Sequence, residues 1–519
     1  MKEKQLEQGY ETLTKDELVA LLRERDKCIE KQEKKIRKLE EKLRKAIAES
    51  SARQEQLLIR NYNDYVSKRD SVEGTPKPRD GGGQPRSGRR RGRPEGPAPS
   101  RDLLESLWMS TGKETVYLDP PGLPDGACAF SEDATFKVRR VPGHYVVVKV
   151  VRRKYRTPDG VAQAPADPAD PFPHSPATPS LVSSAATLKL LLGVPIDRQC
   201  KRMPPVPGLS SPQALGRALG RAADALLPVK GAIDAAMAGS PAYANVDETP
   251  VRVLEKYREG GKNGYVFACV RDVGGFPVAS YLYSATRAPD SAVRAFGLEG
   301  AQLVVDGFSG YGRVRSESGG AITLQRCLAH LRRKCLDCLK GMPAADRQGS
   351  PAQGIVDELS AIYKLERAME GTPEERLALR RGKEYMGHVR KLRSLFAALD
   401  PDEGTALYRA KEYYDNGGED FFTFLGDGSL PLDNNRAERA VKLFVLSRRN
   451  FLFVENDLGG ERAATLMTLI ENATLRGLDA EGYLTWALSN VLRMEAEDLL
   501  PWSEKVPKSL KLKQAIKNL

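Results

Sequence analysis

Three absences narrow the field before any motif is considered. The 519-residue chain has no uninterrupted apolar stretch long enough to cross a bilayer. Its start, MKEKQLEQGY, has no apolar run of the kind a secretory leader carries, so neither export nor membrane insertion is expected. The seven cysteines are odd in number and mostly scattered, which does not make a disulfide framework and suits a reducing compartment. A cytoplasmic protein is the expectation. What the chain has in excess is positive charge: 81 Lys and Arg against 69 Asp and Glu, a net +12. That balance favours an anionic partner, of which nucleic acid is the commonest. The length predicts roughly three or four structural units.

In residues 1–70 the charged stretch Lys15 to Ala48 carries Leu22, Ile29, Ile36 and Leu43 at seven-residue spacing, with Leu18, Leu39 and Ala46 on the companion positions. This predicts a coiled coil through which the chain self-associates. Arg25 and Gln32 interrupt the companion series, so a solitary charged helix is the other reading. Residues 71–100 collapse to Gly, Pro and Arg and cannot bury enough apolar surface to fold alone. Within them GRRRGRPEG sets Arg89, Arg90, Arg91 and Arg93 around Gly92 and Pro94. The arrangement resembles an AT-hook, whose extended backbone inserts Arg into an A·T minor groove. A basic linker drawn to phosphates without sequence preference explains it equally well, and either reading brings double-stranded DNA close.

Residues 101–180 hint at strands, most clearly in HYVVVKVVRR from His144 to Arg153. Residues 181–240 turn helical, in Ser183 to Gly193 and Pro212 to Ala238, with Ser211 and Pro212 suited to a cap and first turn. A DNA-reading helix-turn-helix and a plain packing pair are both open there. Residues 241–340 read as strand, strand, strand, helix, strand: Ala244 to Leu254, Gly264 to Arg271, Phe276 to Ser284, Pro289 to Leu298, and the short apolar run Leu303 to Val305, which ends abruptly in Asp306 and Gly307. This is the opening order of a ribonuclease-H-like α/β domain. Residues 341–428 read as a charged helical insertion, residues 429–457 as the helix that closes the core, and residues 458–519 as a helical C-terminal region.

The candidate chemistry lies in acids at element boundaries. Asp247 falls in the first strand, with Glu248 alternating to the opposite face, and Asp306 stands at a strand end, where α/β sheets collect their sites. Glu438 follows Asn435 by three residues at the start of a helix whose Val441 and Val445 share its side. A capping box would use Glu438 to bond the backbone; an active site would aim it at the two aspartates. Three such carboxylates are the minimum cage for hard divalent cations. Two Mg²⁺ ions, with Mn²⁺ as a second candidate, would suit an in-line displacement at phosphorus.

The phrases NVDETPVRVLE at Asn245, LVVDGFSGYG at Leu303, RCLAHLRRK at Arg326, LDNNRAERAVK at Leu432 and LGGERAATLMTLIENATLRG at Leu458 resemble the successive motifs of the insertion-sequence-66 type transposases, bacterial enzymes of the DDE class. The resemblance runs from about residue 140 to 490, in the family's order. It implies Asp247, Asp306 and Glu438 as catalytic acids and metal ligands, and hydrolytic release of transposon 3′ ends followed by their transfer to target DNA. It also implies work at the nucleoid and makes accessory proteins conceivable partners. A catalytically inactive DNA-binding repressor or architectural protein derived from a transposase is the alternative. Relatives commonly carry Cys pairs of a zinc module ahead of the catalytic domain, but Arg152 to Asp159 here contains no Cys. No zinc is expected there. Cys327, His330, Cys335 and Cys338 read as one helix, too extended for one ion. Cys327 and His330 match a Cys-x-x-His pair of several transposase groups, with a role near DNA or the active site; burial for structure alone is the competing account. Arg332, Arg333, Arg439, Lys442, Arg448 and Arg449 are the cations expected to meet DNA phosphates.

Overall fold

The structure, a computed structural model, describes Glu105, Trp108, Met109 and residues 114–512, apart from 121–122, 124–126, 142–143, 158–159, 164–169, 174, 207 and 255–262. The coiled-coil segment and the linker with Arg89, Arg90, Arg91 and Arg93 lie outside the described residues. All that follows belongs to one unit, Glu95–Leu519.

The first sheet comes from valine-rich strands with period-two alternation. Strand β1 (Glu114–Leu118) runs parallel to β3 (His144–Thr157), which pairs antiparallel with β2 (Cys128–Val141) and β4 (Gly160–Gln163). Phe136, Val138, Val147 and Val151 point inward from β2 and β3. Helix α1 (Pro179–Leu190) is capped by the Thr178 hydroxyl, and α2 (Pro212–Ala238) by Ser211, which accepts from the Ala214 amide with Pro212 in the first turn. The buried side of α2, with Leu215, Leu219, Leu226, Val229 and Ile233, enters one continuous core with the second sheet.

That second sheet is built from β5 (Ala244–Val251), β6 (Gly264–Val273) and β7 (Phe276–Ser284), followed by helix α3 (Pro289–Ala295), β8 (Gln302–Val305), α4 (Ser309–Glu317) and β9 (Thr323–Arg326). The spatial order is β7-β6-β5-β8-β9, with β5, β8 and β9 parallel and β6 and β7 antiparallel to their neighbours. Strand β8 is covered on both faces: Leu303 and Val305 belong to the main core, Val304 to a second one. Strand β9 is not foreseen in the sequence and lies just ahead of the Cys327 to Cys338 stretch that reads as helix. TLQR has little apolar signal, and its strand form depends on distant partners: Thr423 donates to the Leu324 carbonyl, and Gln325 exchanges bonds with Phe421 and Phe424.

Helix α5 (Leu328–Lys340) leads into α6 (Pro351–Ala368), α7 (Pro373–Arg380), α8 (Lys383–Ala397) and α9 (Ala406–Gly417), which gather around the second core of Leu331, Ile355, Leu359, Leu392, Phe396 and Phe421. The chain then returns through α10 (Asn435–Phe451), α11 (Asp457–Leu475) and α12 (Ala480–Asn490) to the main core. Asn472 and Thr468 of α11 bond the free backbone edge of β7 at Ala279 and Tyr281. A sheet edge that could recruit another strand is thereby closed. No described helix is long and apolar enough to cross a membrane.

The insertion is anchored by one buried cation. Arg380 is fully buried and uses all five of its N–H donors: two on Glu366 at 2.8 and 2.9 Å, and three on the carbonyls of Phe424, Asp427 and Leu430 at 2.8–2.9 Å. It fixes the segment that delivers the chain to α10. Removing one partner of a buried pair costs far more than an exposed pair is worth. Arg380→Ala should lower the unfolding free energy by about 3–5 kcal/mol, measured as a fall in the urea midpoint; an unchanged midpoint would show that the anchor is dispensable.

Candidate functional site

The two aspartates come from neighbouring parallel strands. Ala244 pairs with Leu303 and Asn245 with Val304. Carried two residues on, the register sets Asp247, within β5, level with Asp306 just past the end of β8. The Asp306 carboxylate accepts from the Phe308 amide at 2.8 Å, which shapes the turn leaving β8. Gly307 permits that turn to lie under the Tyr413 ring of α9, since a Cβ there would come within 2.0 Å of it.

Glu438 is brought to the same place by its helix start. Asn434 is fully buried ahead of α10, but its side chain does not cap the helix. It donates to the Val246 carbonyl at 2.7 Å and accepts from Asn245 at 3.0 Å, so the helix is tied to the strand that bears Asp247. Its backbone amide donates to Cys327 Sγ at 3.2 Å, the Leu328 amide donates to Leu432, and the Cys327 amide donates to Val305. Strand β8, the start of α5 and the start of α10 are thus bonded to one another just before each presents an acid or a ligand. Asp433 receives the Asn435 amide at 3.1 Å. Glu438 does not perform the capping-box role; its carboxylate instead meets His330 Nδ1 at 3.3 Å, Arg333 at 3.5 Å and Cys327 Sγ at 4.0 Å.

Burial and the negative charges of Asp306, Glu248 and Glu438 push the Asp247 carboxyl up to about 8. Glu248 alternates away from Asp247, and its side chain is only 1% exposed. It accepts from Arg287 and from the Tyr311 hydroxyl, each at 2.9 Å. Burial and Asp306 still raise it above the ordinary glutamate value. Among the described residues, neither Asp247 nor Asp306 is ion-paired with Lys, Arg or His. Burial pushes the Cys327 thiol up to about 12.

The cations divide into two groups. Arg332 donates to the Ser360 hydroxyl and Arg333 is exposed beside Glu438. Arg448 is half-buried against Thr249 of β5, and its burial lowers the guanidinium below its usual value. Arg439, Lys442 and Arg449 project into solvent from the outer side of α10. Phe444 is core and Phe451 packs against it, whereas Phe453 is 37% exposed just after Leu452, whose φ is +65°. The sequence did not reveal Asn245 or the pair Arg287 and Tyr311. A polar residue at an inward position of an apolar strand was the one available signal for Asn245.

The Asp247 environment sets a pH dependence. Unfolded, the carboxyl loses its proton near about 3.9; folded, it holds the proton to about 8. The folded chain binds more protons between these values, so stability contributed at this group is lost as pH rises through that window. Urea midpoints in chelator should fall less steeply from pH 5 to 8 in Asp247→Asn than in wild type. Parallel profiles would remove the electrostatic account.

The family model described as "Transposase IS66 family" matches residues 174–462, which include every element carrying these groups. Two uncharacterized proteins of Sinorhizobium fredii (strain NBRC 101917 / NGR234) are similar. Protein y4hP is 28% identical over 428 residues, covering 76% of this chain and 75% of its own; protein y4jD is 30% identical over 385 residues, covering 70% and 74%. No solved structure matches. With more than half of its length inside the family model, this chain belongs to the IS66 family of transposases.

Proposed function

We propose that the chain cuts the ends of a transposon and joins the released 3′-hydroxyls to target DNA, with Asp247, Asp306 and Glu438 as its catalytic carboxylates. The observation that carries this reading is the set of bonds from Asn434 to Val246, Asn245 and Cys327, by which the first turn of α10 is held to the strands of both aspartates. The sheet order, with three parallel strands flanked by an antiparallel pair, supports a ribonuclease-H-like core, and α6 to α9 fit the helical insertion between the second aspartate and the glutamate.

Divalent metal suits the donor set. All three side chains offer carboxylate oxygen, the preferred ligand of Mg²⁺ and Mn²⁺, and among the described residues the two aspartates have no ion-paired cation. When bound, a pair of such ions activates the attacking oxygen and stabilises the leaving one at phosphorus. The chain's own task is to hold three acids in a fixed relation and to surround them with phosphate-binding charge. Arg333, Arg439, Lys442 and Arg449 are exposed on the α5 and α10 surfaces where a phosphodiester backbone would approach. Arg448 and Arg332, already bonded to Thr249 and Ser360, contribute less freely.

Asp306→Asn should reduce Mg²⁺-dependent nicking of cognate transposon ends by more than about 10²-fold, while end binding in a mobility-shift assay stays within about twofold of wild type. A variant that cuts as well as wild type would remove Asp306 from the reaction. A wild-type chain that binds ends and never cuts them would instead identify a DNA-binding descendant of a transposase.

A further inference from the structure

Beside the oxygen-rich group lies a second set of ligands with different chemistry. Cys327 Sγ, an imidazole nitrogen of His330 and a Glu438 carboxylate oxygen all lie within 4.8 Å of one another. Cys327 immediately precedes α5 and His330 is in its first turn, so the two side chains share a helix face; Glu438 arrives from α10. The sequence considered Cys327 and His330 with Cys335 and Cys338, a set too long for one ion. The fold replaces that set. Cys335 and Cys338 are committed to the second core, and the third ligand comes from more than a hundred residues away.

The spacing fits tetrahedral zinc. Zn–S near 2.3 Å with Zn–N and Zn–O near 2.0 Å implies ligand-to-ligand separations of about 3.3–3.5 Å. His330 Nδ1 to Glu438 Oε1 is 3.3 Å, and Cys327 Sγ to the same oxygen is 4.0 Å. A shift of about half an ångström brings the Cys327 to Glu438 separation into range, and the Cys327 to His330 separation is within 4.8 Å. Two further features belong to a ligand site. His330 Nδ1 is shut off from solvent and has no partner in hydrogen-bond geometry, meeting the Glu438 oxygen at 3.3 Å, a condition that metal ligation would satisfy. Cys327 Sγ accepts the Asn434 backbone amide at 3.2 Å, which supports charge on a thiolate.

We infer that Cys327, His330 and Glu438 form a binding site for a soft divalent cation, Zn²⁺ in the first instance, with the fourth position open to water. Binding releases the thiol proton to solvent and leaves the metal's oxidation state unchanged. Nitrogen and sulfur donors select zinc over magnesium. Glu438 is shared, so zinc occupancy takes the closing carboxylate away from the Asp247 and Asp306 group. The site is then an inhibitory zinc switch on DNA cleavage, a consequence that rests on the proposed function although the metal site itself does not.

Cobalt reports such a site directly. Titration of the metal-free full-length chain with Co²⁺, without DNA or magnesium, should give one equivalent with a thiolate-to-metal band in the near ultraviolet and strong visible bands of tetrahedral cobalt. Zn²⁺ should displace it. Cys327→Ser should abolish the thiolate band; His330→Ala should weaken binding by more than about 100-fold; Asp306→Asn and Cys335→Ser should leave the spectrum unchanged. No thiolate band in wild type, or one that survives both Cys327→Ser and His330→Ala, overturns the site. If the buried Cys327→Ser chain fails to fold, the half-exposed His330→Ala variant decides alone. Where end cleavage is measurable, Zn²⁺ should inhibit wild type at concentrations at least about tenfold below those that affect His330→Ala. Equal sensitivity would overturn the switch and leave the metal site standing. A chain that binds cobalt as described and never cuts DNA would disprove the cleavage reading alone.

Discussion

The buried amide side chain of Asn434 is the joint on which the arrangement depends. It spends its donor on the Val246 carbonyl and its acceptor on Asn245, while its backbone amide takes the Cys327 sulfur. Each bond is worth only about 1 kcal/mol net. Together they do what hydrophobic packing cannot, because packing tolerates sliding and directional bonds to strand carbonyls do not. The body of α10 is pressed on the sheet by Ala440, Val441 and Phe444. Its rotation and height, and hence the aim of Glu438, are set by Asn434.

From that joint the two cores acquire different roles. The main core, from α2 through the sheet to α11, makes a platform with both its faces and its β7 edge occupied. The second core holds the insertion, and Arg380 secures the return path to α10 through backbone carbonyls at Phe424, Asp427 and Leu430. Tyr413, lying over Gly307, brings the insertion to the edge of the acidic group. The platform supplies rigidity and the insertion supplies walls, which exclude water and strengthen every charge interaction between them.

A cluster of acids held this way is unstable by itself. Asp247 retains its proton to about 8 because burial and three neighbouring carboxylates oppose its ionisation. Glu248 is relieved by Arg287 and Tyr311, and Glu438 lies against His330 and Arg333. The arrangement carries a cost in folding, because burial and mutual repulsion both oppose its charges.

Much of this was legible in the sequence. Strand-forming residues between polar or Gly turns announced β5 to β7, the abrupt Val305-Asp306-Gly307 marked a strand end, and the ordered motifs pointed to the family to which the chain belongs. Local pattern also gave the cap at Ser211 and the start of α10, whereas α1 begins at Pro179, four residues before the expected Ser183. Tertiary structure alone decided three things. Strand β9 pairs with β8 and is bonded further by Thr423 and the Phe421 to Phe424 backbone, which no property of TLQR foretold. Glu438 makes its contacts with Arg333 and Cys327, 105 and more residues away, rather than with the backbone of its own helix start. The third ligand beside Cys327 and His330 could not be found by spacing along one helix. The sequence by itself determined which segments become strands and helices, because those follow from side-chain periodicity and capping. Only the fold decided which polar groups face one another, because hydrogen bonds and charges act through space between segments whose separation along the chain carries no record of the meeting.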